Sequence, residues 1–179
     1  MATLAFVVTI SISIIAEAQW RTNGELVEDT DAQKSVGDFG VMLMLTDDPD
    51  GLFEAWSRPP SPDYGPNISE VSTANRGDVI LAFILFSGCA ENSEGNCDSE
   101  VGYTAYFPDG TIYGQHSGPL WAGYPGPGKG ALQLSEGNLG LRIEDDDPFG
   151  TYKITAKIVD KIAGVEIELS TEVTVVESD

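Results

Sequence analysis

Tyr152-Lys153-Ile154-Thr155-Ala156-Lys157-Ile158 and, a few residues on, Val165-Glu166-Ile167-Glu168-Leu169 alternate apolar and polar side chains over two successive runs. Period-two alternation is the pattern of a strand with one buried and one wet face. The second run continues through Val173 and Val175. For the two apolar faces to coincide, paired residue numbers must sum to an odd value. A sum of 325 leaves Lys161-Ile162-Ala163-Gly164 as a four-residue loop. This register sets Lys157 opposite Glu168 and Lys153 opposite Glu172. Opposite charges across a strand pair support it.

Working outward, the other runs are also strand-like. Val101–Phe107 and Thr111–Gln115 flank Pro108-Asp109-Gly110, a hairpin turn. Leu132–Leu134 and Leu139–Ile143 read as short strands, and Val41–Leu45 as another, ended by Asp47-Asp48-Pro49-Asp50-Gly51. Phe53–Trp56 fits one more short strand, and no helix of convincing periodicity stands out. Gly118–Gly130, rich in Gly and Pro, reads as a long loop. Asp78–Phe86 is apolar on both faces, through Val79, Leu81, Phe83 and Leu85 on one and Ile80, Ile84 and Phe86 on the other. Such a strand is central and covered twice, by another part of the chain or by a partner.

The entry to the first of the opening runs, Asp147-Pro148-Phe149-Gly150-Thr151-Tyr152, together with the strand down to Asp160, resembles the penultimate strand of bacterial immunoglobulin-like and PKD-like domains. The resemblance covers the last forty or so residues. It implies an immunoglobulin-like antiparallel β-sandwich of about seven to nine strands, and a tyrosine corner in which the Tyr152 hydroxyl ties back to nearby backbone. Such domains serve adhesion, surface assembly or attachment within larger machines, which is the role the resemblance implies here.

The expected organisation is an N-terminal segment over 1–18, a polar lead-in arm over 19–38, and the sandwich over 39–179. Leu4–Ala16 is apolar and Ala16-Glu17-Ala18 precedes Gln19, the small-x-small pattern of a signal peptidase site. Thr9, Ser11 and Ser13 also alternate with Ile10, Ile12 and Ile14, so a retained β-strand is the other reading.

The formal charge of -20 excludes a nucleic-acid binder and an anionic membrane surface, because both are polyanions. Cys89 and Cys97 enclose a polar loop after an apolar strand and are expected to form a local disulfide, which fits export to a periplasmic or extracellular space. The acids Asp47, Asp48 and Asp50, and Glu144, Asp145, Asp146 and Asp147, are either solvated turn residues or oxygen ligands for calcium, the one cofactor the sequence suggests. Tyr113, Trp121 and Tyr124 stand in or beside the Gly/Pro segment, either pinning it to the sheet or presenting aromatic faces to a carbohydrate or a protein. Asn67-Ile68-Ser69 is a formal glycosylation sequence. His116 is the only histidine, and no nucleophile-elbow pattern accompanies it, so a hydrolytic triad is disfavoured. The leading expectation is a non-catalytic module for protein binding or assembly. Behind it stand a calcium- or carbohydrate-binding module and a carboxylate-dependent hydrolase.

Overall fold

The computed structural model describes residues 20–22, 25–58, 68–128 and 130–177. The N-terminal segment 1–18 and Asn67 lie outside the described residues.

The register of the C-terminal hairpin is the expected one. Strand β11 (Gly150–Asp160) pairs with β12 (Val165–Val176), with Lys157 opposite Glu168, Lys153 opposite Glu172, and a turn over residues 161–164. Strand β7 (Asn96–Tyr106) lies on the other side of β11, and β8 (Ile112–Pro125) pairs with β7. A short β5 (Thr73–Asn75) adds to β12 in parallel, which completes a five-stranded sheet in the order β5-β12-β11-β7-β8. The opposing sheet contains β3 (Gln33–Val36), β4 (Phe39–Thr46), β6 (Val79–Ser87), β9 (Gln133–Leu134) and β10 (Leu139–Arg142). Its order is β10-β6-β4-β3, with β9 also on β6. Two five-stranded sheets make this the expected immunoglobulin-like β-sandwich, with ten strands in the two sheets among the described residues. A two-residue ribbon of β1 (Arg21–Thr22) and β2 (Glu25–Leu26) stands apart from both.

Three expectations are corrected. The sandwich begins at Gln33, not Phe39, because Gln33–Val36 folds back on Phe39–Met42 as an edge strand; part of the lead-in arm thus belongs to the sheet. Residues 118–125 are not loop, since β8 runs through Pro119 to Pro125. Proline is tolerated there because β8 is an edge strand and its pairing with β7 is broken by irregularities beside Pro119 and Pro125. Phe53–Trp56 is not a strand but the middle of helix α1 (Pro49–Ser57). The Asp48 carboxylate accepts from the Gly51 amide at 2.9 Å, and Pro49 follows the cap where its missing N–H costs nothing.

Helix α1 answers what covers the second face of β6. Ile80, Ala82, Ile84 and Phe86 enter the core between the sheets, with Leu43, Tyr103, Ile154 and Ile158 among their companions. Leu81, Phe83 and Leu85 point the other way, into a second cluster with Leu52 of α1 and Leu134 of β9, flanked by Trp56, Met42 and Met44. Full burial of a Leu, Ile or Phe contributes about 1.5–3 kcal/mol, so this outer cluster is a substantial share of a marginal total.

Both sides of the sandwich are laced. On one, the Ser170 amide donates to Asp31 O at 2.7 Å and Lys34 Nζ to Glu168 O at 2.8 Å. On the other, the Glu136 and Gly137 amides donate to Leu120 O and Pro119 O.

Candidate functional site

The two sheets present different outer faces. The sheet of β3, β4, β6, β9 and β10 is capped by α1, whose Leu52 packs on Leu81, Phe83, Leu85 and Leu134. The second, that of β5, β7, β8, β11 and β12, carries nothing over strands β12, β11, β7 and β8 among the described residues, and its outward positions are mostly Thr, Ser, Lys, Glu and Gly, with Asp98, Tyr106, Pro119 and Val159 among them. Alternation dictates this: Tyr152, Ile154, Ala156 and Ile158 fill the core, so Lys153, Thr155, Lys157 and Val159 face out.

Gly102 lies opposite Ser117 on β8 and beside Lys157 on β11, and the missing side chain leaves a hollow in this face. A depression of about 510 Å³ runs from it towards Asp98, Glu100, Pro119 and Lys161. Another of about 360 Å³ runs towards Thr104, Tyr106, Lys153, Ser170 and Lys34. Gly102 and Lys157 line both, so the two meet in one trough across the sheet. Four of the nine basic residues, Lys34, Lys153, Lys157 and Lys161, line it. Lys157 pairs with Glu166 at 2.8 Å, the diagonal neighbour rather than Glu168 directly opposite; Lys161 pairs with Glu100 at 2.9 Å and Asp98 at 3.4 Å. Glu166 raises the Lys157 ammonium above its ordinary value, and Glu100 does the same for Lys161. These are exposed pairs, so they order the face more than they stabilise the fold.

The three aromatic candidates do not form one site. Tyr113 packs edge-on against Phe107 and Tyr152, with ring centroids 4.6 and 5.5 Å away. Its hydroxyl donates to Asp147 Oδ2 at 2.7 Å and also lies against Arg142 O, a second acceptor for the same proton. Burial, reinforced by the Asp147 carboxylate, pushes the Tyr113 phenol well above its usual range. Trp121 and Tyr124 sit further along β8, paired at 5.5 Å, with Trp121 also against Phe86 at 6.0 Å. Trp121 Nε1 donates to Pro125 O, and Tyr124 is 53% exposed. Tyr113 thus pins its own strand, whereas Tyr124 presents a face to solvent.

Nor do the acids assemble. Asp48 caps α1, with Asp47 and Asp50 exposed beside it. Asp147 is buried, takes the Glu144 amide and the Tyr113 hydroxyl on Oδ2, and its carbonyl accepts from Arg76, which lies 3.9 Å over the Phe149 ring. Glu144, Asp145 and Asp146 point into solvent. Among the described residues no three carboxylate, imidazole or thiol groups converge on one point. Each carboxylate is either held by its own loop or left in water.

Cys89 and Cys97 are bonded, and both are buried. The loop they close is held from beneath by Asp160, a buried carboxylate that sequence reading passed over. It accepts from the Ala90 amide at 2.7 Å, Ile162 at 3.0 Å and Ala163 at 2.9 Å. Its position before the four-residue turn was the available signal, since Asp at such a place bonds the backbone two residues on. Tyr152 closes the corner the resemblance implied: its hydroxyl donates to Pro148 O at 2.9 Å.

No family model matches the chain, and no curated protein does. Among solved structures, the chain is similar to the alkylpurine DNA glycosylase of Pseudomonas fluorescens bound to DNA containing an abasic site analog, at TM-score 0.42 and 15% identity. That match covers 77% of this chain and 30% of the glycosylase. It is also similar to the CARDB domain of a Pyrococcus furiosus protein in complex with di-metal ions, at TM-score 0.38 and 12% identity, over 84% of this chain and 99% of that one. A family 123 glycoside hydrolase from Clostridium perfringens matches at TM-score 0.37 and 10% identity, over 77% of this chain and 28% of its own. The chain thus spans under a third of the two enzymes, and the activities in their names are those of the whole proteins.

Proposed function

We propose that the protein is a non-catalytic, exported immunoglobulin-like module that binds another protein or forms a subunit of a larger assembly. The observation that carries this reading is the contrast between the sheets. One outer face is covered by α1, while the other is open and mostly polar, with a trough centred on Gly102. An open polar sheet face of mixed charge suits a partner that is itself folded and soluble, and interfaces of that kind are as polar as ordinary surface. Export is supported by the Cys89–Cys97 disulfide and by a charge of -20 that keeps such a module soluble. Recovery of the native protein under gentle conditions tests the reading. A stoichiometric partner that is lost when Gly102→Arg fills the trough is the expected result. A lone monomer from the same source, or turnover of a substrate by the purified chain, overturns it.

A carbohydrate ligand is favoured by one separate observation, the Trp121–Tyr124 pair with its exposed tyrosine ring. A glycan screen in which Tyr124→Ala abolishes binding supports it, and a blank screen removes it.

A further inference from the structure

Among the described residues strand β8 is the outermost strand of its sheet, and one side of its backbone has no partner strand there. Sheet edges are ordinarily guarded by charge, proline, bulges or a covering loop. The far half of β8 has such guards, since the Glu136 and Gly137 amides cover Leu120 O and Pro119 O, and the pairing with β7 is irregular there. In the near half, among the described residues, the bulge at Tyr113 is the one such guard. Beyond it, Gly114–Gly118 forms an unbroken ladder on β7 through Ala105, Thr104, Tyr103, Gly102 and Val101. No Asp, Glu, Lys or Arg occurs from Thr111 to Gly128, in a chain that is 21% charged. Gln115, His116 and Ser117 are exposed.

Carboxylates frame this bare edge at both ends. Asp109 lies in the turn that precedes β8. The exposed Glu144, Asp145 and Asp146 belong to the turn whose Asp147 holds the Tyr113 hydroxyl. Glu136 stands at the other end, on Leu120. Among the described residues two cations border this frame: Arg76, whose guanidinium donates to the Asp147 carbonyl, and Arg142, whose carbonyl lies against the Tyr113 hydroxyl. We propose that Gly114–Gly118 is a docking edge for an extended, lysine- or arginine-bearing segment of a partner protein, which adds to the sheet as a further strand. This rests on the reading of the chain as a binding module. Main-chain hydrogen bonds would give the affinity and the acidic frame the selection for basic segments. A second copy of this chain fits poorly: two-fold pairing would bring the Asp109 end of one β8 against the Glu136 end of the other, between bodies that each carry -20.

The experiment uses the full chain and two ten-residue probes, one alternating lysine with valine and one alternating glutamate with valine. Hydrogen exchange should show amides within Gly114–Gly118 slowed by the lysine peptide alone. Its affinity should fall at least about tenfold between about 50 and about 500 mM salt. Successive N–H groups on a strand point to opposite sides, so one of Gln115→Pro and His116→Pro removes a bond to β7 and the other a free donor. The variant that keeps the parent melting temperature should lose the peptide. Gln115→Glu, which leaves the backbone intact, should weaken neither the fold nor the lysine peptide. Equal binding of the glutamate peptide, protection confined to other strands, or no protection overturns the assignment. So does protection that appears without peptide and grows with protein concentration, which would signify a second copy. A native partner that stays bound in excess lysine peptide also overturns it, while leaving the module reading intact.

Discussion

Replacing Asp160 with alanine tests how the end of the sandwich is held. The carboxylate is buried and accepts three backbone N–H groups, one from the disulfide loop at Ala90 and two from the hairpin turn at Ile162 and Ala163. A hydrogen bond to a charged acceptor contributes about 1.5–3 kcal/mol. The turn residues are exposed, so water takes over most of what Ile162 and Ala163 lose, whereas the half-buried Ala90 amide is left poorly satisfied. The expected loss is therefore about 3 kcal/mol, well below the sum of three full bonds. At about 2–4 °C per kcal/mol for a domain of this size, the melting temperature falls by roughly 6–12 °C. Urea unfolding followed by tryptophan fluorescence reads the free energy directly. Ala90 adjoins Cys89, so the same measurement on a Cys89→Ser/Cys97→Ser chain, itself weakened by about 2–3 kcal/mol, should show the two changes to be less than additive by about 0.5–1 kcal/mol. An Asp160→Ala loss under about 1 kcal/mol, or strict additivity with the disulfide, refutes the idea that this carboxylate clamps the loop.

Leu52→Ala removes the side chain that α1 sets over Leu81, Phe83 and Leu85, and should cost about 2–5 kcal/mol by equilibrium unfolding. A cost below about 1 kcal/mol would mean the helix is not a true lid on β6. Tyr152→Phe deletes the corner bond to Pro148 O and should cost about 1 kcal/mol, read by the same unfolding assay. Burial raises the Tyr103 phenol above its ordinary value of 10.0. The folded state therefore favours the neutral form, and stability is intact below that value and lost as pH rises beyond it. Tyr103→Phe should flatten this alkaline loss in a pH series of melting temperatures; an unchanged slope would contradict it.

The C-terminal hairpin was legible to the residue because alternation fixes the parity of its register, and the four-residue turn with the Lys157–Glu168 and Lys153–Glu172 pairs selects among the registers that remain. The doubly apolar Val79–Phe86 run was legible as a central strand, but its lid was not. Helix α1 has only nine residues, so its period shows just in Leu52 and Trp56, four apart. The clearer signal was Asp48-Pro49, an N-cap followed by a first-turn proline. Gly118–Pro125 misled because glycine and proline mark loops in isolation, whereas an edge strand accommodates both. The grouping of the candidate residues was not legible. Tyr113 and Tyr124 are near in sequence, but one locks onto Asp147 and the other faces water. The hollow at Gly102 needs β8, β7 and β11 side by side before it exists, and no local pattern encodes that.

Hydrogen exchange on the protein alone and in its native complex tests the central claim most directly. The open face of the second sheet predicts slowed amides in Asp98–Tyr106, Ile112–Pro119 and Lys153–Val159, with α1 and β9 unchanged. Protection centred on α1, or none on β7, β8 and β11, would contradict it.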